Sequence, residues 1–263
     1  MSNDSIKKTV IVVLGVCLVC SLLVSTAAVG LFPLQEVNRK LDKVKNILLA
    51  GELFNEGTDI EKTYDENIEP VLIELATGER ITEDKFDDVL NIDGFDIKVL
   101  ANHSSHGRSI PKQQDIADIK VSPKYMLVYY IKDGEQVNRI ILPVYGKGLW
   151  STMYAFLALD KDLETVTGVT FYEHGETPGL GGEIENPRWN NLWKGKDAFD
   201  DNNIVQLEII KGIVDRNRPQ AKYQIDGLSG ATITARGVDK MIKFWLGDNG
   251  YAPFLNKLRE EVQ

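Results

Sequence analysis

The densest group of side chains able to do chemistry is the string Asp226-Gly227-Leu228-Ser229-Gly230-Ala231-Thr232-Ile233-Thr234. It follows a short extended run, Lys222–Ile225. It precedes a helical pattern in which Val238, Met241, Ile242, Trp245 and Leu246 share one apolar stripe. Gly227 and Gly230 give the backbone the freedom to turn sharply between the two. The hydroxyls of Ser229, Thr232 and Thr234 then gather where a helix start leaves free N–H groups and a positive dipole end, a setting that favours a phosphate. The pattern alone also allows a commoner reading, in which a Ser or Thr before an apolar helix is simply its N-cap.

Two glycine-rich stretches are the next candidates. The first is Gly146-Lys147-Gly148-Leu149-Trp150-Ser151, at the end of a strand-like run. A dinucleotide loop would need a third glycine at 151, where Ser stands. The second runs from Glu173 through His174, Glu176, Thr177, Pro178 and Leu180 to Gly181-Gly182. Its glycines and proline exclude helix and sheet, so it is a loop. His174 reads either as an acid/base or as a structural hydrogen-bond partner. The Gly-Gly-acidic sequence at 181–183 resembles that of nucleotide cyclases only superficially. His103 and His106, three apart, sit among Ser, Gly107 and Pro111 with no acidic or Cys ligand adjacent. They read as a loop rather than a metal site.

The nine-residue string resembles the Asp-x-x-Ser/Thr-Gly-Ala-Thr signature of proteins that carry flavin mononucleotide (FMN) esterified through its phosphate to a threonine. Gly-Lys-Gly-Leu-Trp followed by His-x-Glu-Thr-Pro-Gly-Leu-Gly resembles one family among these, the NqrC family of the sodium-translocating NADH:quinone reductases. Asp226, Ser229, Gly230 and Ala231 match the motif, and the resemblance makes Thr232 the acceptor. It implies that Gly148, Leu149, Trp150, Glu176, Thr177, Leu180 and Gly181 surround the isoalloxazine ring. Glycine admits a flat ring closely, and backbone N–H groups can donate to its acceptors.

The elements that must position these residues are legible in outline. Thr9 to Phe32 carries no charged side chain, and its 24 positions make a helix of roughly 36 Å against a hydrocarbon core near 30 Å. Lys7 and Lys8 precede it while Gln35 and Glu36 follow, which places the N-terminus in the cytoplasm. The run exceeds the apolar core of a cleaved signal peptide, so it reads as an uncleaved anchor. Both cysteines, Cys17 and Cys20, lie inside it on one helical face and read as small residues at a helix–helix contact, with a cluster shared with another subunit as the alternative.

From Leu34 to Ala50 the spacing predicts a connector helix, then a loop over 51–62. A strand is expected at Val71–Leu75, a turn at Thr77-Gly78, and a segment Glu83–Leu90 capped by Thr82. Tyr125–Ile131 and Val137–Tyr145 flank Asp133-Gly134 as a hairpin. Met153–Leu159 is either strand or short helix. Thr165–Tyr172 and Val205–Ile210 are expected as strands. Asn186–Trp193 reads as an aromatic turn with packing tryptophans, and a last helix is expected over Pro253–Val262. Hairpins with helices on the far side argue an α+β domain. The expected divisions are a cytoplasmic tail 1–8, a transmembrane helix 9–32, a connector and N-terminal part 33–120, and an FMN-binding domain 121–263.

A net charge of −9 makes a nucleic-acid partner an unfavoured reading. The resemblance implies an electron-carrying subunit of a bacterial inner-membrane complex with its main domain extracytoplasmic. Its partners would be other membrane subunits, among them a second covalent-flavin subunit, and a flavin transferase for maturation. No metal site, no NADH site and no complete active site of its own are expected. Two alternatives stand: the equivalent subunit of the related ferredoxin:NAD reductase complex, and a tethered scaffold domain in which Thr232 is only a cap.

Overall fold

A long apolar segment can satisfy its backbone away from water only by internal hydrogen bonding, which makes it a helix. The computed structural model describes residues 6–134 and 136–262, and of the expected tail 1–8 residues 1–5 lie outside these. Helix α1 (Ile6–Ala50) is continuous over 45 residues, with Pro33 inside it. Its most apolar window has a mean hydropathy of 2.7 and is wholly unburied. Ser21 Oγ and Thr26 Oγ1 donate back to the Leu18 and Leu22 carbonyls, at 2.9 and 2.8 Å, so neither hydroxyl needs water.

Contacts divide the chain into two units, Met1–Lys43 and Val44–Gln263. Among the described residues the second is built on ten strands: β1 (Ile68–Glu74), β2 (Gly107–Ser109), β3 (Val121–Pro123), β4 (Tyr125–Asp133), β5 (Gln136–Lys147), β6 (Thr152–Asp160), β7 (Thr165–Glu173), β8 (Lys196–Asp197), β9 (Glu208–Ile209) and β10 (Gln224–Ile225). Six of them form one sheet in the order β1-β4-β5-β6-β7-β8. Every pairing in it is antiparallel. β2 pairs with β3, and β9 pairs in parallel with β10. Besides the end of α1, the helices described in this unit are α2 (Ile60–Asn67), α3 (Ile97–Asn102), α4 (Pro187–Asn190), α5 (Thr232–Leu246) and α6 (Ala252–Val262). The architecture is α+β, as hairpins with helices on the far side imply.

Residues 140–146 of β5 and 155–159 of β6 are buried without alternation. Both sheet faces are therefore covered, and a run buried on both sides loses the period-two signature of a strand. That is why Met153–Leu159 looks equally helical in sequence; it is β6. The hairpin at Asp133-Gly134 is present, with Gly134 at φ +64°. Both tryptophans of the aromatic turn are buried packing anchors.

Three local expectations are corrected. The segment Glu83–Leu90 is not a helix; only Glu83–Lys85 makes a 3-10 turn, and Thr82 gives its hydroxyl to Asp84 rather than capping a backbone amide. Asp87 instead accepts from the Val89 and Leu90 amides at 2.9 and 2.7 Å, which bends the chain out of helix. The strand expected over Val205–Ile210 shrinks to Glu208–Ile209, because Gln206 and Leu207 both donate to the Ala198 carbonyl. The loop expected over 51–62 ends early: Asp59 accepts from the Lys62 amide and starts α2 at Ile60.

Helix α5 lies against β5 at unusually close range. A Cβ added at Gly237 would stand 2.4 Å from the Lys147 carbonyl oxygen, and one at Gly146 2.8 Å from Met241 Cβ. Trp245 Nε1 donates to the Tyr145 carbonyl at 2.7 Å, and the Tyr251 hydroxyl donates to that of Pro143 at 2.6 Å. These contacts fix where the start of α5 falls relative to the end of β5. Gly237→Ala should therefore lower the stability of the full chain by about 1–3 kcal/mol through overpacking. Denaturant titration in detergent checks this, and an unchanged midpoint would contradict the close packing.

Candidate functional site

Glu176 is where the three chemically suggestive segments meet. It is only 5% exposed. Its Oε1 accepts from the Trp150 and Ser151 amides at 2.9 and 3.3 Å. Its Oε2 accepts from the Leu149 amide at 3.2 Å and from the Thr234 hydroxyl at 2.6 Å. Burial pushes the carboxyl pKa up, but the Thr234 hydroxyl and the three amides outweigh it, and the net displacement is downward. The side chain is thus held as an anion by dipoles alone, since among the described residues it makes no ion pair.

Glycines make room for this carboxylate. A Cβ at Gly148 would sit 2.5 Å from Glu176 Oε1, and one at Gly181 would sit 2.5 Å from Thr234 Oγ1 and 2.8 Å from Glu176 Oε2. Around it the loops lace together. Gly148 N donates to the Ser151 carbonyl at 2.8 Å, and Gly175 N donates to Ser151 Oγ at 2.6 Å. His174 Nδ1 accepts from the Glu176 amide at 3.1 Å, which is the structural use of that histidine. His174 Nε2 lies 2.9 Å from Glu185 Oε1, without the alignment of a hydrogen bond.

The acceptor string is ordered from its other side. Asp226 takes the Val214 amide on Oδ1 at 2.8 Å, faces Arg216 at 3.7 Å and receives Trp189 Nε1 on its carbonyl at 2.8 Å. Its carboxylate therefore braces the 212–216 loop. Gly230, at φ +72°, is the left-handed turn that brings the chain into α5. Ala231 is buried and occupies the N-cap position with no side-chain cap. Among the described residues no group accepts from the amides of Thr232, Ile233 or Thr234. The simple capping reading of the hydroxyls therefore fails.

The two threonines differ completely in setting. Thr234 is 1% exposed and its hydroxyl is committed to Glu176. Thr232 is exposed, and among the described residues nothing hydrogen-bonds its hydroxyl. Ser229 is exposed as well. Large apolar side chains border this end of α5: Leu149 is 44% exposed, Trp150 65%, Leu180 47% and Ile233 57%. Leu180 reaches toward Gly230, where a Cβ would meet its Cδ2 at 3.2 Å. Thr177 is exposed beside it, with its carbonyl accepting from Leu180 and Gly182.

The structure thus brings together Gly148, Leu149, Trp150, Glu176, Leu180, Gly181, Gly230, Ala231 and Thr232. Glu176 and Asp226 take part through internal bonds rather than as free surface carboxylates. Ile233 was missed in sequence, although an isoleucine outside the buried stripe of α5 was the available signal. Thr234 and Ser151 were missed as organisers because neither hydroxyl announces its partner. His103 and His106 lie elsewhere, their rings stacked at 4.8 Å and His106 Nε2 2.7 Å from Asp87 Oδ2. Among the described residues no cluster of His, Cys, Asp or Glu is arranged to hold a metal.

A family model described as the FMN-binding domain matches residues 148–247, which contain Gly148–Ser151, the 173–182 loop and the threonine string. The class is therefore a flavin-domain protein that also carries an N-terminal helix long and apolar enough to cross a membrane. Similarity extends well beyond that domain. The chain is 45% identical to the C subunit of the Na(+)-translocating NADH-quinone reductase of Yersinia pestis, over 98% of its own length and 95% of the relative's. It is 44% identical to that of Vibrio parahaemolyticus, over 98% and 97%. The crystal structure of Shewanella oneidensis NqrC superposes with a TM-score of 0.76 at 34% identity, covering 85% of this chain and 99% of that one. The chain belongs to the NqrC family, the C subunits of Na(+)-translocating NADH-quinone reductases.

Glu176→Ala should cost roughly 3 kcal/mol or more, since it strands three amides and a buried hydroxyl. The lowered pKa of Glu176 means that its contribution is complete above the ordinary carboxylate range and is lost as pH falls through the lowered value. The stability gap between wild type and Glu176→Ala, measured by denaturant titration from neutral pH to about pH 3, should therefore narrow with acid. A gap constant across that range would contradict an ionised Glu176.

Proposed function

We propose that this chain is an electron-carrying subunit of a membrane respiratory complex and holds FMN as a phosphoester on Thr232. The observation that carries the reading is the contrast between the two threonines: one hydroxyl is exposed at an uncapped helix start, while its neighbour is buried and bonded. The esterified oxygen would be Thr232 Oγ. The free amides of Thr232, Ile233 and Thr234, at the positive end of α5, suit the phosphate that attachment brings there.

The surrounding residues suit a flat ring. Leu149, Trp150, Leu180 and Ile233 offer exposed apolar surface, and Thr177 offers a polar edge, while Gly148 and Gly181 keep the walls thin. Bound FMN supplies reversible electron uptake and release; the protein's part is to anchor, orient and tune it. Electrons would arrive from another redox centre of the complex and leave to the flavin of a neighbouring subunit. A separate flavin transferase would perform the attachment. NADH oxidation and sodium export would belong to the assembled complex.

Lys7 and Lys8 ahead of the apolar run favour a cytoplasmic N-terminus and so support a flavin domain on the extracytoplasmic side of a bacterial inner membrane. A covalent link would then keep the cofactor from being lost. The full-length match to quinone-reductase relatives weighs against the ferredoxin-reductase alternative. The scaffold alternative required Thr232 to act only as a cap, and α5 has no side-chain cap.

Intact masses of the denatured full chain, co-expressed with a flavin transferase, test the attachment. Wild type and Thr234→Val should each gain the mass of one FMN, and Thr232→Ala should gain none. A gain retained in Thr232→Ala would overturn the acceptor. Orientation is tested separately with a single cysteine introduced at exposed Ser229. It should react with a membrane-impermeant thiol reagent in intact spheroplasts, and protection until lysis would reverse the topology.

A further inference from the structure

We infer that the Glu176 carboxylate is a fixed negative charge with no cationic partner, behind the Leu149–Trp150 wall, that holds the reduction potential of the flavin low. The inference rests on attachment at Thr232. Four donors converge on the two carboxylate oxygens: three amides at 2.9–3.3 Å and the Thr234 hydroxyl at 2.6 Å. Donors of this kind keep a carboxylate ionised, yet none of them carries a formal charge. Among the described residues no lysine or arginine pairs with it, although Asp226, Glu173, Glu52 and Asp239 all have such partners.

The position of the charge matters as much as its sign. Two of its donors are the backbone amides of Leu149 and Trp150, whose side chains stand exposed at the proposed ring site. A third is the hydroxyl of Thr234, two residues beyond the acceptor threonine. With only 5% of the residue exposed, water screens the charge weakly. An unscreened anion close to the ring opposes the arrival of an electron. Glu176 is thus a positioning residue for the wall and the helix start, and also sets how readily the site accepts electrons.

Glu176→Gln removes the charge and keeps the shape. Its amide oxygen can replace Oε1, and the Thr234 hydroxyl can rotate to accept from the new amide group, while only the Leu149 amide loses its acceptor. Thr234→Val does the reverse: it keeps the charge and takes away one donor, leaving the anion less compensated. The two variants should therefore move the potential in opposite directions, which a shared structural disturbance would not do.

The experiment is a spectroelectrochemical titration of the flavin in the full-length, flavin-loaded protein in detergent at neutral pH, with loading confirmed by intact mass. Glu176→Gln should shift the potential positive by about tenfold in the one-electron equilibrium constant, which is about 59 mV. Thr234→Val should shift it negative by less. A loaded Glu176→Gln at the wild-type potential, or a positive shift in Thr234→Val, overturns the inference and leaves the attachment reading intact. A wild type that gains no flavin mass overturns both. Should Glu176→Gln fail to fold, the sign of the Thr234→Val shift decides alone.

Discussion

A carboxylate buried among neutral donors constrains everything around it, because its desolvation must be offset by hydrogen bonds that no surface loop would otherwise be forced to make. Glu176 collects those bonds from two separate parts of the chain: the turn after β5 and the Thr234 hydroxyl of the threonine string. Each bond removes a degree of freedom from a segment that its glycines would otherwise leave loose. Gly148 and Gly181 are required at their positions because any Cβ there would occupy the space of the carboxylate or of its hydroxyl partner. The glycine richness that reads as flexibility in the sequence is therefore the condition for a tightly bonded cluster.

The same cluster separates the roles of two threonines that look interchangeable in one dimension. Binding Thr234 inward fixes the rotation of the first turn of α5, and Thr232 then faces outward. The packing of α5 on β5, through Gly237, Gly146 and the Trp245 hydrogen bond, holds that turn at the mouth of the Gly148 loop. Secondary structure, packing and site geometry thus form one chain of dependence running from the centre of the sheet to an exposed hydroxyl.

What could be read from the sequence followed the strength of the local signal. The apolar run after Thr9 and the stripe from Val238 to Leu246 are long and periodic, and both became helices. Asp133-Gly134 between apolar runs became a hairpin. The threonine string could be located through its family resemblance, although its geometry could not be foreseen. The misses have physical causes. Glu83–Leu90 was lost to Asp87, whose side chain competes for the amides that a helix would use. Val205–Ile210 was lost to a long-range partner, the Ala198 carbonyl, which no local pattern records. The resemblance put Glu176 at the ring, but its part as the organiser of the site depends on Leu149–Ser151 and Thr234, some 25 and 58 residues away in the chain.

The central claim is that Thr232 carries the one hydroxyl of this string that is both exposed and placed at the uncapped start of α5. Its most direct test is to digest the flavin-loaded wild-type protein and locate the added mass by fragment-ion sequencing across residues 226–240. The account predicts every modified fragment to carry the flavin phosphate on Thr232. Modification on Thr234 or Ser229 would contradict it, since the first would require the buried Glu176 bond to break and the second would move the acceptor off the helix altogether.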